Sequence, residues 1–217
     1  MREPLCIDMH DEGSCEICVV ANVLHMYGVI DQPDLRWLDQ QLGRKLGQPL
    51  DGGVATDFLL QMGFHIHRIA EKRFDEYRFL REGLAYLREF LGKSWTTSHS
   101  RFWTQAMVAQ RQRSVMKSVE IRKEFQNRVT FQIGKNPTVE DIQQQLAQGR
   151  VVAATWGKEA IAHAVLVCGY GEQDGRPYLT TFYPADRSSF LVSSPNIFPK
   201  EGWNPLAGTV SYWLPKS

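Results

Sequence analysis

Apolar positions along the chain fall into three zones. From Cys15 to Tyr27 the residues are almost wholly apolar and the run closes on Gly28. It is long enough for about three turns, which predicts a helix with a glycine stop. Asp31-Gln32-Pro33-Asp34 is turn chemistry, and Leu35, Leu38 and Leu42 then recur at helical spacing. After a break at Pro49 and Asp51-Gly52-Gly53, residues 54–62 read as a third short helix. Phe64-His65-Ile66-His67-Arg68-Ile69 alternates as a strand does. Residues 71–128 return to helical spacing, with Phe79, Leu80, Leu84, Leu87 and Leu91, a polar turn at 94–100, and a second helix to about Asn127.

From Val129 strands dominate. Residues 129–133 read as a strand, and Pro137-Thr138-Val139-Glu140-Asp141 opens a helix with Thr138 as N-cap and acids in its first turn. That helix stops at Gly149. Strands follow at 151–155, from His163, at 178–182 after a hairpin at 171–175, and at 209–214. Helices first and an antiparallel sheet second predict an α+β fold. At 217 residues the chain forms one domain, with 71–128 read as a helical insertion. No internal repeat or low-complexity segment appears.

Charge narrows the function classes. A formal net charge of +1 gives no general attraction to nucleic acid or membrane. No window approaches the run of about 18 apolar residues that a spanning helix needs. Residues 1–5 lack a hydrophobic signal core, so the expected compartment is the cytoplasm, or export by a specialised system without a classical signal. The 4 cysteines, Cys6, Cys15, Cys18 and Cys168, do not make a disulfide framework in a chain of this size. The helix at 101–128 carries Arg111, Arg113, Lys117, Arg122, Lys123 and Arg128, a solvated face in the first instance, or else a surface for a protein partner or a polyanion.

The candidate chemistry centres on Cys15 and His163. Cys15 follows a Gly-Ser pair and opens the first helix, where the macrodipole stabilises a thiolate. His163 opens the run Ala164-Val165-Leu166-Val167-Cys168-Gly169-Tyr170. A thiol and a distant histidine brought together by folding form a nucleophile and its base. Cys15-x-x-Cys18 also has the spacing of a redox pair or half a metal site, but Cys168 lies an odd number of residues from His163 and so on the other sheet face. Cys18 and Cys168 therefore read as small core residues, and neither metal nor cofactor is expected. His65 and His67 share one strand face, read as an exposed edge. His25 reads as a hydrogen-bonded core histidine. Trp156 and Trp203 either line the cleft near His163 or belong to the core.

The order of these motifs resembles the papain-like cysteine proteases, in particular their small bacterial peptidase C39-like branch. The carrying residues are the helix from Cys15 to Tyr27-Gly28, the segment from Gly53 to Phe64-His65-Ile66, Leu146-Ala147-Gln148-Gly149 before Val151-Val152, and His163-Ala164-Val165 to Gly169-Tyr170. They span roughly residues 6–70 and 130–215. Three positions depart from the family: Glu16 replaces the usual glycine after the nucleophile, Met9 the upstream glutamine of the oxyanion hole, and Tyr183-Pro184 the usual Asp-Pro. The resemblance implies a papain-like fold, with a helical part bearing Cys15 on a C-terminal antiparallel sheet. It also implies a third, orienting residue, for which Asp186 is the nearest carboxylate on the same loop.

The function expected on this basis is attack by the Cys15 thiolate on an amide of a peptide or protein, as in a cysteine peptidase. A glutamine deamidase-type bacterial effector shares the first step. From another class, an inactive papain-like binding module would keep the scaffold alone. The expected partner is a peptide or protein substrate, and nucleic acid is not expected.

Overall fold

The structure is a computed structural model that describes residues 1–5, 7, 15–45, 52–92, 104–156, 163–173, 176–182, 189–192 and 208–215. Its elements run α1 (Cys15–Met26), α2 (Leu35–Leu42), α3 (Gly52–Gln61), β1 (His65–Ala70), α4 (Glu76–Glu82), α5 (Leu84–Leu91), α6 (Gln105–Glu124), β2 (Val129–Ile133), α7 (Val139–Ala147), β3 (Val151–Trp156), β4 (His163–Gln173), β5 (Arg176–Phe182), β6 (Ser189–Val192) and β7 (Gly208–Trp213). The fold is α+β, as the order of elements predicts. No described helix is long and apolar enough to cross a membrane.

Local chemistry explains the helix ends. Asp34 caps α2 by accepting from the Arg36 and Trp37 N–H groups at 2.9 and 3.1 Å. Thr138 and Asp141 form the reciprocal capping box that starts α7, and Lys135 holds Asp141 at 2.7 Å. Gly83 divides the expected single helix of the middle zone into α4 and α5, because its φ of 54° does not continue a helix.

The strands form one sheet in the order β2-β1-β7-β3-β4-β5-β6. The antiparallel sheet expected from sequence is corrected here: β1 and β2 pair in parallel, while every other neighbouring pair is antiparallel. Parallel neighbours need a long crossover. Residues 71–128 are that connection, running from the end of β1 through α4, α5 and α6 to β2. The last strand, β7, enters between β1 and β3, close to the centre of the sheet. Gly208 opens it, where a Cβ would stand 2.6 Å from the Ile69 carbonyl oxygen, so only glycine fits.

Alternation along the strands builds two cores. Ile66, Val151, Ala153, Ala164, Leu166 and Tyr212 face α1, α2 and α3. Val152, Ala154, Val165, Val167 and Leu179 face Val139 and Ile142 of α7 on the opposite side. A third cluster of Phe79, Tyr86, Leu87, Phe90, Leu91 and Val108 belongs to the crossover helices.

Candidate functional site

Helix α1 is buried from Ile17 to Met26 and spans the sheet between two anchors. At its far end the Tyr27 hydroxyl donates to the Tyr212 carbonyl at 2.8 Å and lies 3.1 Å from the Gly149 carbonyl. The Tyr27 ring meets Phe64 edge-on at 5.3 Å, and burial pushes its hydroxyl pKa up to about 12. Inside the helix, Asn22 accepts from the Leu5 N–H at 2.7 Å and donates to the Cys18 carbonyl at 3.0 Å. The N-terminal strand of chain is thereby held along α1. The buried His25 ring nitrogen Nδ1 lies 2.9 Å from the Asp31 carbonyl, so it carries the proton there, as a core histidine does.

The near end of α1 carries Cys15, half-buried in its first turn. Backbone N–H groups of Ala164, Glu16 and Cys15 itself lie where they favour its thiolate. Ala164 is the second residue of β4 and pairs with Thr155, while His163 opens the strand opposite Trp156. Folding has therefore set the thiol against the backbone of the residue that follows His163. The small Ala164 side chain lies in the core beneath α1, which lets helix and strand approach this closely. Asp186 and the cleft candidate Trp203 lie outside the described residues, as do the departures Met9 and Tyr183-Pro184.

Two effects compete at the thiol. Burial is the larger and pushes the Cys15 pKa up, and the Glu16 carboxylate adds to it. The three amides act the other way, as donors at a helix N-terminus do, without overcoming burial. A thiol held above its ordinary range is mostly protonated at neutral pH. Its reactivity thus depends on a base or cation beside it, and His163 is the sequence neighbour of the contact.

Several expectations change. His65 and His67 do not lie on an edge, because β2 covers β1 on that side. His67 Nδ1 sits 2.8 Å from the Thr130 hydroxyl, and the His65 ring lies 5.4 Å from the Trp213 ring. Burial first, then Arg128 at His65 and Arg150 at His67, hold both imidazoles below their usual range and hence neutral near pH 7. Cys18 is buried as expected, but Cys168 is exposed, because the β4–β5 register shifts between Val167 and Gly169 and the bulge breaks the alternation used to place it. Among the described residues, no group of three His, Cys, Asp or Glu is placed to hold a metal ion. The basic face of 101–128 is partly spent internally. Arg122 bonds Asp57 at 3.0 Å and also reaches Glu76, while Arg128 lies over the Phe125 ring at 4.9 Å.

One group escaped the sequence reading. Arg68 occupies the inward phase of β1, between the core residues Ile66 and Ala70. Burial and then Arg122 work against its charge, while Tyr212, Glu16 and Glu76 support it. The signal was present as a charged residue at an apolar phase of the alternation. No protein-family model matches the chain, and no curated protein matches it.

Proposed function

We propose that this chain is a thiol-dependent amide hydrolase of papain-like type, acting on a peptide or protein. The observation that carries the reading is the Cys15 thiol, at the N-terminus of a buried helix packed on β4, close to the Ala164 amide that follows His163. In this reading His163 takes the thiol proton and the sulfur attacks the carbonyl carbon. A C–S bond forms as the carbonyl electron pair moves to oxygen, where the Cys15 backbone N–H stabilises it. The pair returns, the C–N bond breaks, and His163 gives its proton to the leaving amine. Water, deprotonated by His163, then hydrolyses the thioester and restores the thiol. Asp186 orients the imidazole. A thiol that must stay reduced suits the cytoplasm.

A second reading is an inactive binding module on the same scaffold. Glu16 favours it, because a carboxylate next to the nucleophile opposes thiolate formation.

The test is incubation of the full chain and its Cys15→Ala variant with a mixed peptide and protein pool, followed by mass spectrometry. The hydrolase reading expects Cys15-dependent backbone cleavage. Conversion of glutamine to glutamate without cleavage assigns the deamidase form of the same chemistry. Absence of both, with a folded chain, favours the binding module.

A further inference from the structure

Strand β2 ends the sheet, and among the described residues its neighbour is β1 alone. Thr130 to Ile133 are exposed, with 38% of Phe131 and 40% of Ile133 in solvent. Edge strands of natural proteins are commonly shielded by a lysine, a proline or a bulge. Val129-Thr130-Phe131-Gln132-Ile133 carries neither charge nor proline, and its register with β1 is unbroken.

The hydrogen bonds fix which backbone groups stay open. The Gly134 N–H donates to the Ala70 carbonyl at 3.1 Å, so alternation turns Gly134, Gln132 and Thr130 toward β1. Val129, Phe131 and Ile133 then direct their backbone groups outward. The Val129 N–H is satisfied by the Gln126 carbonyl. What remains is the Val129 carbonyl and the N–H and C=O of Phe131 and Ile133, which have no partner among the described residues.

The side chains repeat this symmetry. Apolar, polar, aromatic, polar, apolar reads alike from both ends of the strand. Val129, Phe131 and Ile133 share the face on which Val129 meets the core below α1. Thr130 and Gln132 share the other, where the Thr130 hydroxyl lies 2.8 Å from His67 Nδ1. An antiparallel copy centred on Phe131 sets Phe131 against Phe131, Val129 against Ile133 and Thr130 against Gln132, so each pair matches in polarity. Its hydrogen-bonded positions are those whose groups are open: Phe131 exchanges both bonds with its copy, and each Ile133 N–H donates to the Val129 carbonyl opposite. A strand of another sequence gains the backbone bonds without the matched side chains. Charge opposes the pairing little, since the formal net charge is +1. Of the flanking cations, Lys135 is held by Asp141 at 2.7 Å, and Arg128 lies over the Phe125 ring at 4.9 Å. Arg73 lies over the Phe131 ring at 4.7 Å, attracted to its face.

We propose that β2 is a self-association edge: two copies of this chain pair through β2, antiparallel about a two-fold axis at Phe131, and join their sheets into one. The proposal is independent of the chemistry at Cys15.

The experiment is sedimentation velocity of the full chain over a concentration series, beside Phe131→Lys, with folding checked by circular dichroism. A short edge makes a small interface, so the parent is expected to dimerise with a midpoint of about 10–300 μM. Phe131→Lys sets like charges opposite each other and should weaken association at least about tenfold. A second arm reads the register, by mixing Thr130→Cys with Gln132→Cys under mild oxidation. Mass spectrometry should find a disulfide between positions 130 and 132, which face each other with Cα atoms about 4.5 Å apart. A parent that stays monomeric up to about 1 mM overturns the proposal. So does a dimer that forms no such bridge and whose midpoint Phe131→Lys leaves unchanged, because it uses another face. Amide protection of Phe131 and Ile133 that appears only with an added peptide pool, and not with chain concentration, assigns the edge to a foreign strand and also overturns it. If Phe131→Lys does not fold, the concentration series and the bridge decide.

Discussion

Helix α1 buries ten of its twelve residues, from Ile17 to Met26, whereas the twenty-residue α6 buries only Val108 and Ser118. Both lie close to α3, but they are held there differently. Apolar area fixes α1, with a polar contact at each end: the Ala164 amide at Cys15 and the Tyr212 carbonyl at Tyr27. Helix α6 is fixed to α3 by charge and hydrogen bonds, since Ser118 and Arg122 both bond Asp57, and Arg122 continues to Glu76. Its own apolar contacts go to the aromatic cluster of α4 and α5. The helix that carries the candidate nucleophile is thus locked by packing, while the neighbouring crossover is joined through groups that respond to charge.

The difference can be broken from either side. The largest effect is expected at Leu24, fully buried on the inner face of α1: Leu24→Ala should cost about 3–5 kcal/mol in urea unfolding, through lost transfer energy and the cavity left behind. Val108→Ala, in the crossover cluster, should cost about 1–2 kcal/mol. Equal losses would mean that the crossover is packed as α1 is. Next comes Arg122→Met, which leaves Asp57 and Glu76 without their shared cation. Because Arg122 is partly solvated, about 2–3 kcal/mol is expected, and native-state hydrogen exchange should localise the loss to α4–α6. Exchange that rises equally in α1 would erase the contrast.

The smallest effect is local to α7. Thr138→Ala removes the capping box and should cost about 1 kcal/mol. Burial works against the Asp141 charge, but the Lys135 ammonium and the Thr138 N–H and hydroxyl outweigh it and hold the carboxyl below its ordinary value. A depressed folded pKa gives stability that is present above the unfolded value of about 3.9 and is lost as pH falls through the folded one. Protection of α7 amides should therefore fade in acid below about pH 4 in the parent chain. The fade should be smaller in Asp141→Asn.

How much of this was legible in the sequence follows from the range of the interactions. Local chemistry was readable: the Thr138 cap, the α1 run with its Gly28 stop, and His25 as a bonded core residue. Pairing between distant strands was not. The parallel pair β1–β2 and the central place of β7 depend on which strand finds which, and that choice made His65 and His67 internal. The exposure of Cys168 depends on a bulge that strict alternation does not contain. At the candidate site, Cys15 was marked by its helix start, while Arg68 carried a signal only in its phase, a charged residue in register with the core residues Ile66 and Ala70.

The central claim is that Cys15 is a nucleophile activated by His163. Its most direct measurement is the pH dependence of Cys15 alkylation in the parent chain and in His163→Ala. Burial and Glu16 work against the thiolate in both proteins, so the parent thiol is expected to react well below pH 8 only through His163, and to lose that low-pH reactivity in the variant. Identical profiles in the two proteins, each with a midpoint at or above about 8.5, would contradict it.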